Sequence, residues 1–132
     1  MSTVKTKPVT TNLKEPPLVL SYAGCDTCRR ALRFLAERGV TPVVRPIVEQ
    51  PPTEEELQRW LPQSGLVLRK WLNVSGQSYR ALGKERVDAA DEATLRRWLA
   101  EDGKLVKRPV LVYQGQVLVG FQEAAYAELF GG

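Results

Sequence analysis

Cys25 and Cys28 are the only cysteines in a chain of 132 residues that contains no histidine. Their C-x-x-C spacing is that of a dithiol able to close into a disulfide. A thiol reacts as its thiolate, and a free cysteine ionises near pH 8.5, so reactivity at neutral pH needs help from position. Cys25 falls at the start of an expected helix, where unpaired backbone N–H groups and the positive end of the helix dipole favour an anion. Arg29 and Arg30 follow in the next turn as supporting charges, with Asp26 opposing them slightly. On this reading Cys25 is the nucleophile and Cys28 the resolving thiol. Cys25 attacks an oxidised substrate or disulfide, Cys28 displaces the mixed intermediate, and glutathione or a thioredoxin system reduces the resulting Cys25–Cys28 disulfide. The same pair could instead be a sensor that an oxidant closes.

The missing histidine excludes Ser-His-Asp and Cys-His catalysis and every His-containing zinc site, and two cysteines cannot complete a four-cysteine one. No metal is expected, since one would need carboxylates or a second subunit's cysteines as further ligands. A secreted disulfide scaffold would carry more cysteines across longer loops, so a reducing compartment, the cytoplasm, is expected. With 19 Lys and Arg against 15 Asp and Glu, interleaved, the net charge of +4 is mildly basic and carries no nucleic-acid footprint. No stretch approaches the roughly 18 apolar residues of a membrane span, and none reads as a signal peptide. Residues 1–17, with Pro8, Pro16 and Pro17 and few apolar side chains, read as a flexible tail before a single domain over 18–131.

The elements that must position the cysteines follow from periodicity and punctuation. Leu18–Tyr22 (LVLSY) predicts a buried strand and Ala23-Gly24 a turn. A helix is expected from Asp26 or Thr27, either of which can cap it, to Arg38, with Ala31, Leu32, Phe34 and Leu35 as its apolar stripe and Gly39 closing it. Thr41–Val48, β-branched with two prolines, predicts a strand at a sheet edge or one that ends early. Thr53 and Glu56 form a capping box for a short helix with Leu57, Trp60 and Leu61 inward, expected to stop before Pro62. A helical stretch over Gly65–Leu72 and a helix capped by Asp91, with Leu95, Trp98 and Leu99 inward, follow. Pro109–Tyr113 and Gln116–Val119 predict a hairpin turning at Gln114-Gly115, and Gln122–Phe130 a closing helix with Ala125, Tyr126 and Leu129 inward. The order is β-α-β, a helical insertion at about 53–103, then β-β-α with a mixed sheet. Cysteines at the tip of the first strand make the thioredoxin-like fold the economical α/β solution, although a bare count of elements fits other sandwiches. The tryptophans read as core rather than as base-stacking groups, and Glu54–Glu56 as helix capping rather than ligands.

Lys107-Arg108-Pro109 stands immediately before the hairpin. In a thioredoxin-like fold this proline would face the cysteines through a cis peptide bond, unlike most X-Pro pairs, and Arg108 would direct its charge at Cys25.

These motifs together resemble a known group. Tyr22-Ala23-Gly24-Cys25-Asp26-Thr27-Cys28-Arg29-Arg30, the segment Asn73-Val74-Ser75-Gly76-Gln77-Ser78-Tyr79-Arg80-Ala81-Leu82-Gly83, then Lys107-Arg108-Pro109-Val110 and Val119-Gly120-Phe121 are similar, in order and over about 18–130, to the arsenate reductase-related (ArsC/Spx) family. The resemblance implies a thioredoxin-like fold with an inserted helical subdomain and a redox-active cysteine at Cys25. It also implies that Arg108 is part of an anion site, with catalytic residues Cys25, Cys28 and Arg108 supported by Arg29, Arg30 and Pro109. It implies no bound cofactor, with glutathione, glutaredoxin or thioredoxin as reductant. The family's other two arginine positions fall at Ser75 and in Val119-Gly120-Phe121, where no arginine stands; Arg69 and Arg80 are nearby but out of register. The chain thus looks closer to C-x-x-C members than to true arsenate reductases. An alternative is the Spx-like role, a redox-switched regulator binding the RNA polymerase α subunit.

Overall fold

A computed structural model describes residues 15–131. The expectations for residues 1–14 of the tail lie outside the described residues. Four strands, β1 (Leu18–Ser21), β2 (Val43–Pro46), β3 (Val110–Tyr113) and β4 (Gln116–Val119), form one sheet in the order β2-β1-β3-β4. β1 runs parallel to β2, with Val19 opposite Val44, and antiparallel to β3, with Val19 opposite Leu111. β3 and β4 are the expected hairpin, pairing Val112 with Val117. Gln114 and Gly115 both take positive φ, 50° and 78°, which matches the right-handed twist of the flanking strands.

Alternation along β1 decides what each face covers, because successive side chains point to opposite sides of a strand. Val19 and Leu111 face one cluster, with Ala31, Phe34 and Leu35 of α1 (Asp26–Glu37) and Tyr126 of the closing helix. Leu20 and Val110 face the other, built mainly from the chain between β2 and β3. That chain holds α2 (Glu54–Ser64), α3 (Gln77–Leu82), α4 (Lys84–Ala89) and α5 (Glu92–Glu101), with 3-10 turns at Leu68–Trp71 and Gly103–Leu105. α6 (Glu123–Phe130) ends the chain. Trp60 and Trp71 are both buried in the second cluster, and Trp98 packs against it. This is the thioredoxin-like arrangement, with helices packed on both faces of one mixed sheet.

The capping box is present: Glu56 N–H donates to Thr53 Oγ1 at 3.0 Å and Thr53 N–H to Glu56 Oε1 at 2.9 Å. Asp91 caps α5 through the Thr94 N–H. Two boundaries differ from expectation. α2 does not stop before Pro62 but carries it inside the last turn and ends at Gly65 in the left-handed region, φ 69°. The buried Leu57 and Trp60, with Leu61 packed beside them, hold that turn helical despite the proline. Of the stretch Gly65–Leu72 only Leu68–Trp71 is helical, as a 3-10 turn that buries Leu68 and Trp71. β2 lies at the sheet edge, with Val43 and Val44 exposed.

Candidate functional site

β1 delivers the chain to the site, and one backbone bond sets its shape. Cys25 N–H donates to the Tyr22 carbonyl at 3.0 Å, closing the turn after the strand. Cys25 stays extended, at φ −106° and ψ 117°, so helical geometry begins only at Asp26. The cap of α1 is therefore Cys25 itself, neither Asp26 nor Thr27 as expected. Its sulfur accepts the backbone N–H of Cys28 at 3.4 Å, satisfying one of the donors a helix start leaves unpaired. Cys28 lies on the inner face of α1, fully buried in line with Ala31 and Leu35. Cys25 is only partly buried, and both are free thiols.

The two environments drive the thiols apart. Partial burial pushes the Cys25 thiol up, but the neighbouring Cys28 thiol and backbone N–H and the positive Arg108 guanidinium outweigh it, leaving Cys25 below the ordinary thiol range. Burial pushes the Cys28 thiol up; the Tyr22 backbone opposes this, and the neighbouring Cys25 adds to the rise against a smaller opposing effect of Ser21.

The Arg108–Pro109 bond is cis, and the pair leads into β3 beside β1. Cys25 opens onto a cleft of about 400 Å³ with Thr27, Lys107 and Arg108; Asn73 and Ser75 form one wall and Val119–Gln122 the other. Phe121 in that wall packs edge-on against Phe34 of α1 and Tyr126 of α6, tying it to the first core cluster. Gly120, at φ 81°, leaves room for Lys107: a Cβ there would meet the Lys107 Cε at 3.1 Å.

The structure thus brings together Cys25, Arg108 and both places where the sequence resemblance located missing arginines, Ser75 and Val119–Phe121. It does not bring in the others. Arg29 donates to the Ala23 carbonyl at 2.6 Å and pairs with Asp26 on the surface, and Arg30 lies 5.5 Å from the Phe121 ring centroid; neither lines the cleft. Arg69 is engaged by the carbonyls of Val87, Asp88 and Ala90. Arg80 donates to the Ser75 carbonyl at 2.9 Å without entering the cleft. Thr27 and Asn73 stand inside the motifs that carry the resemblance but had no cleft role expected of them, and Gln122 is a cleft residue just outside those motifs. Among the described residues no group of three or more His, Cys, Asp or Glu side chains converges on a metal-sized site, and no helix is long and apolar enough to cross a membrane.

Comparison with known proteins places this arrangement. A sequence model of the ArsC family matches residues 20–129, which include both cysteines, Arg108 and every cleft residue. The uncharacterised Bacillus subtilis protein YusI is 42% identical over 108 residues, 81% of this chain and 92% of YusI. A Neisseria meningitidis arsenate reductase is 31% identical over 97 residues, 73% of this chain and 82% of that protein. The crystal structure of an ArsC family related protein from Bacteroides fragilis superposes with a TM-score of 0.82 at 39% identity, covering 86% of this chain and 96% of that one. The chain belongs to the ArsC family.

Proposed function

We propose that the chain is a thiol–disulfide oxidoreductase in which Cys25 attacks and Cys28 resolves. Membership of the ArsC family supports a thiol-based redox protein. The observation that carries the finer reading is the Cys25 sulfur at the cap of α1, receiving the Cys28 N–H and opening onto a cleft that holds Arg108. The thiolate needed for attack is favoured at Cys25, and the buried Cys28 keeps its proton until a mixed disulfide forms beside it.

The electrons balance as follows. The Cys25 thiolate attacks one sulfur of a substrate disulfide; a new S–S bond forms, the old one breaks, and one substrate half leaves as a thiolate. Cys28 then attacks the Cys25 sulfur, its proton passing to the second departing thiolate, and the Cys25–Cys28 disulfide remains. The substrate has gained the two electrons the dithiol lost. Two glutathione molecules, or the dithiol of a glutaredoxin or thioredoxin, restore the pair. The cytoplasm, where such reductants are maintained, is the compartment this cycle suits.

The cleft favours an organic disulfide over an arsenic oxyanion. Its volume is that of a small-molecule site. Among the described residues Arg108 and Lys107 are the cations lining it, with Arg108 the one guanidinium, and each charge-assisted contact contributes only about 1.5–3 kcal/mol. Asn73 and Ser75 offer neutral hydrogen bonds where further cations would be needed.

A glutathione- or thioredoxin-coupled turnover assay on a small aliphatic disulfide tests the reading, with Cys25→Ser and Cys28→Ser as controls. Turnover lost in Cys25→Ser supports it. No turnover in the native protein, together with retention of the RNA polymerase α subunit in a pull-down, would replace it with the redox-switched regulator.

A further inference from the structure

We infer that Tyr22 is a positioning residue that holds the Arg108 guanidinium against the Cys25 thiolate. The inference rests on the reading of Cys25 as the reactive thiol.

Tyr22 is the first residue after β1, and its carbonyl accepts the Cys25 N–H. Its ring folds back over the turn that carries Cys25. A Cβ on Gly24 would stand 3.0 Å from Tyr22 Cε2 and 3.3 Å from its hydroxyl, so the aromatic edge rests where only a glycine leaves space. The Arg108 guanidinium carbon lies 5.1 Å from the centroid of the same ring, within cation–π range. The Lys104 ammonium lies 5.8 Å from it.

Little else orients Arg108. One Nη donates to the Lys104 carbonyl at a long 3.3 Å, Nε is buried without a hydrogen-bond partner, and no carboxylate pairs with it among the described residues. An arginine held so loosely by hydrogen bonds would sample many rotamers, and a ring surface that accepts the flat guanidinium narrows them. Tyr22 therefore links the turn bearing the nucleophile to the loop bearing the cation, two segments 83 positions apart that meet only because β1 pairs with β3.

Among the described residues the charged and titratable groups around Cys25 are few. Arg108 and Lys107 face it across the cleft, the Tyr22 ring and Lys104 lie beside Arg108, and Cys28, Asp26 and the outward-directed Arg29 and Arg30 lie on its own helix. The Asn73–Ser75 loop and the Val119–Gln122 wall bring none. A change at Tyr22 thus reaches the thiolate mainly through Arg108.

The test is the pH dependence of iodoacetamide alkylation at Cys25, followed by peptide mapping. Tyr22→Met, which fills the space without a π face, is expected to raise the midpoint by about half a pH unit, leaving about threefold less thiolate below it. Tyr22→Phe keeps the ring and should leave the midpoint unmoved. In an Arg108→Gln background Tyr22→Met should shift nothing further. Gly24→Ala, whose Cβ displaces the ring, serves as a second variant and should act in the same direction, again only when Arg108 is present. An unmoved midpoint in both variants, or an equal shift with and without Arg108, would overturn the inference. Because alkylation needs no disulfide substrate, a midpoint that behaves as stated beside absent turnover would sink the oxidoreductase reading alone.

Discussion

Replacing Arg108 with glutamine should change the reactivity of Cys25 in a way that reverses with pH. Partial burial works against the Cys25 thiolate, and the groups that overcome it are the Cys28 thiol and N–H and the Arg108 guanidinium. A charge-assisted contact is worth about 1.5–3 kcal/mol, and the low end applies to a guanidinium and a sulfur this accessible to water. About one pH unit of upward shift in the midpoint follows, since each unit corresponds to about 1.36 kcal/mol. Thiolate nucleophilicity rises with basicity, with a Brønsted coefficient of about 0.4–0.5. Below both midpoints the variant then has about tenfold less thiolate that is about threefold more nucleophilic, so alkylation slows by about three- to fourfold. Above both midpoints every Cys25 is ionised and the variant reacts about threefold faster than the native protein. Rates of iodoacetamide addition from pH 5 to 10 measure both limbs. Two profiles that differ by a constant factor, or that share a midpoint, would refute the role given to Arg108.

Other consequences are open to simpler measurement. At a pH where Cys25 is ionised, alkylation of the folded protein should map to Cys25 over the fully buried Cys28 by at least about tenfold, as peptide mapping would show. Glu56 binds Arg45 through both oxygens at 2.9 and 2.8 Å, with both side chains less than a fifth exposed. Arg45, and then the Thr53 N–H, hold its carboxyl below the usual range against the effect of burial. The folded protein thus binds this proton more weakly than the unfolded chain, so the stabilisation is present at neutral pH and fades as pH falls through the lowered value. Urea unfolding should show Glu56→Gln about 1.5 kcal/mol less stable at pH 7, with the gap closing below about pH 4. Gly103→Ala would drive a Cβ into the Ile47 carbonyl, where only backbone can yield. A loss of about 3 kcal/mol, or about 10 °C in Tm, is expected by calorimetry.

Much of the framework is written in local signals. The LVLSY strand, the Thr53 box, the Asp91 cap and the Gln114-Gly115 hairpin each rest on residues within a few positions of one another, and each stands where those residues place it. The reading fails where two local rules compete or where the signal is too short. Asp26 and Thr27 are both good caps by composition, yet a turn bond from Cys25 to Tyr22 fixes the helix start one residue earlier. α3 and α4 are six residues each, meeting at Gly83 with φ 90°, and six residues display no periodicity to read. At the site the cysteines and the Arg108–Pro109 pair were legible as motifs. The cleft walls were legible only through the resemblance, which pointed to Ser75 and Val119-Gly120-Phe121; Asn73 and Gln122 become neighbours of Cys25 through tertiary packing that no local signal announces. Arg29 and Arg30 show the converse: sequence nearness to Cys25 put them in the next turn, and helix geometry aims them elsewhere.

The central claim is that Cys25 attacks and Cys28 resolves, and trapping the intermediate tests it most directly. Mixing Cys28→Ser with glutathione disulfide and reading the intact mass should show one glutathione per chain, mapped to Cys25, while the native protein should form a Cys25–Cys28 disulfide and release the adduct. Glutathione lodged on Cys28 in a Cys25→Ser variant as fast as on Cys25 in Cys28→Ser, or a native protein that retains its adduct, would contradict the account.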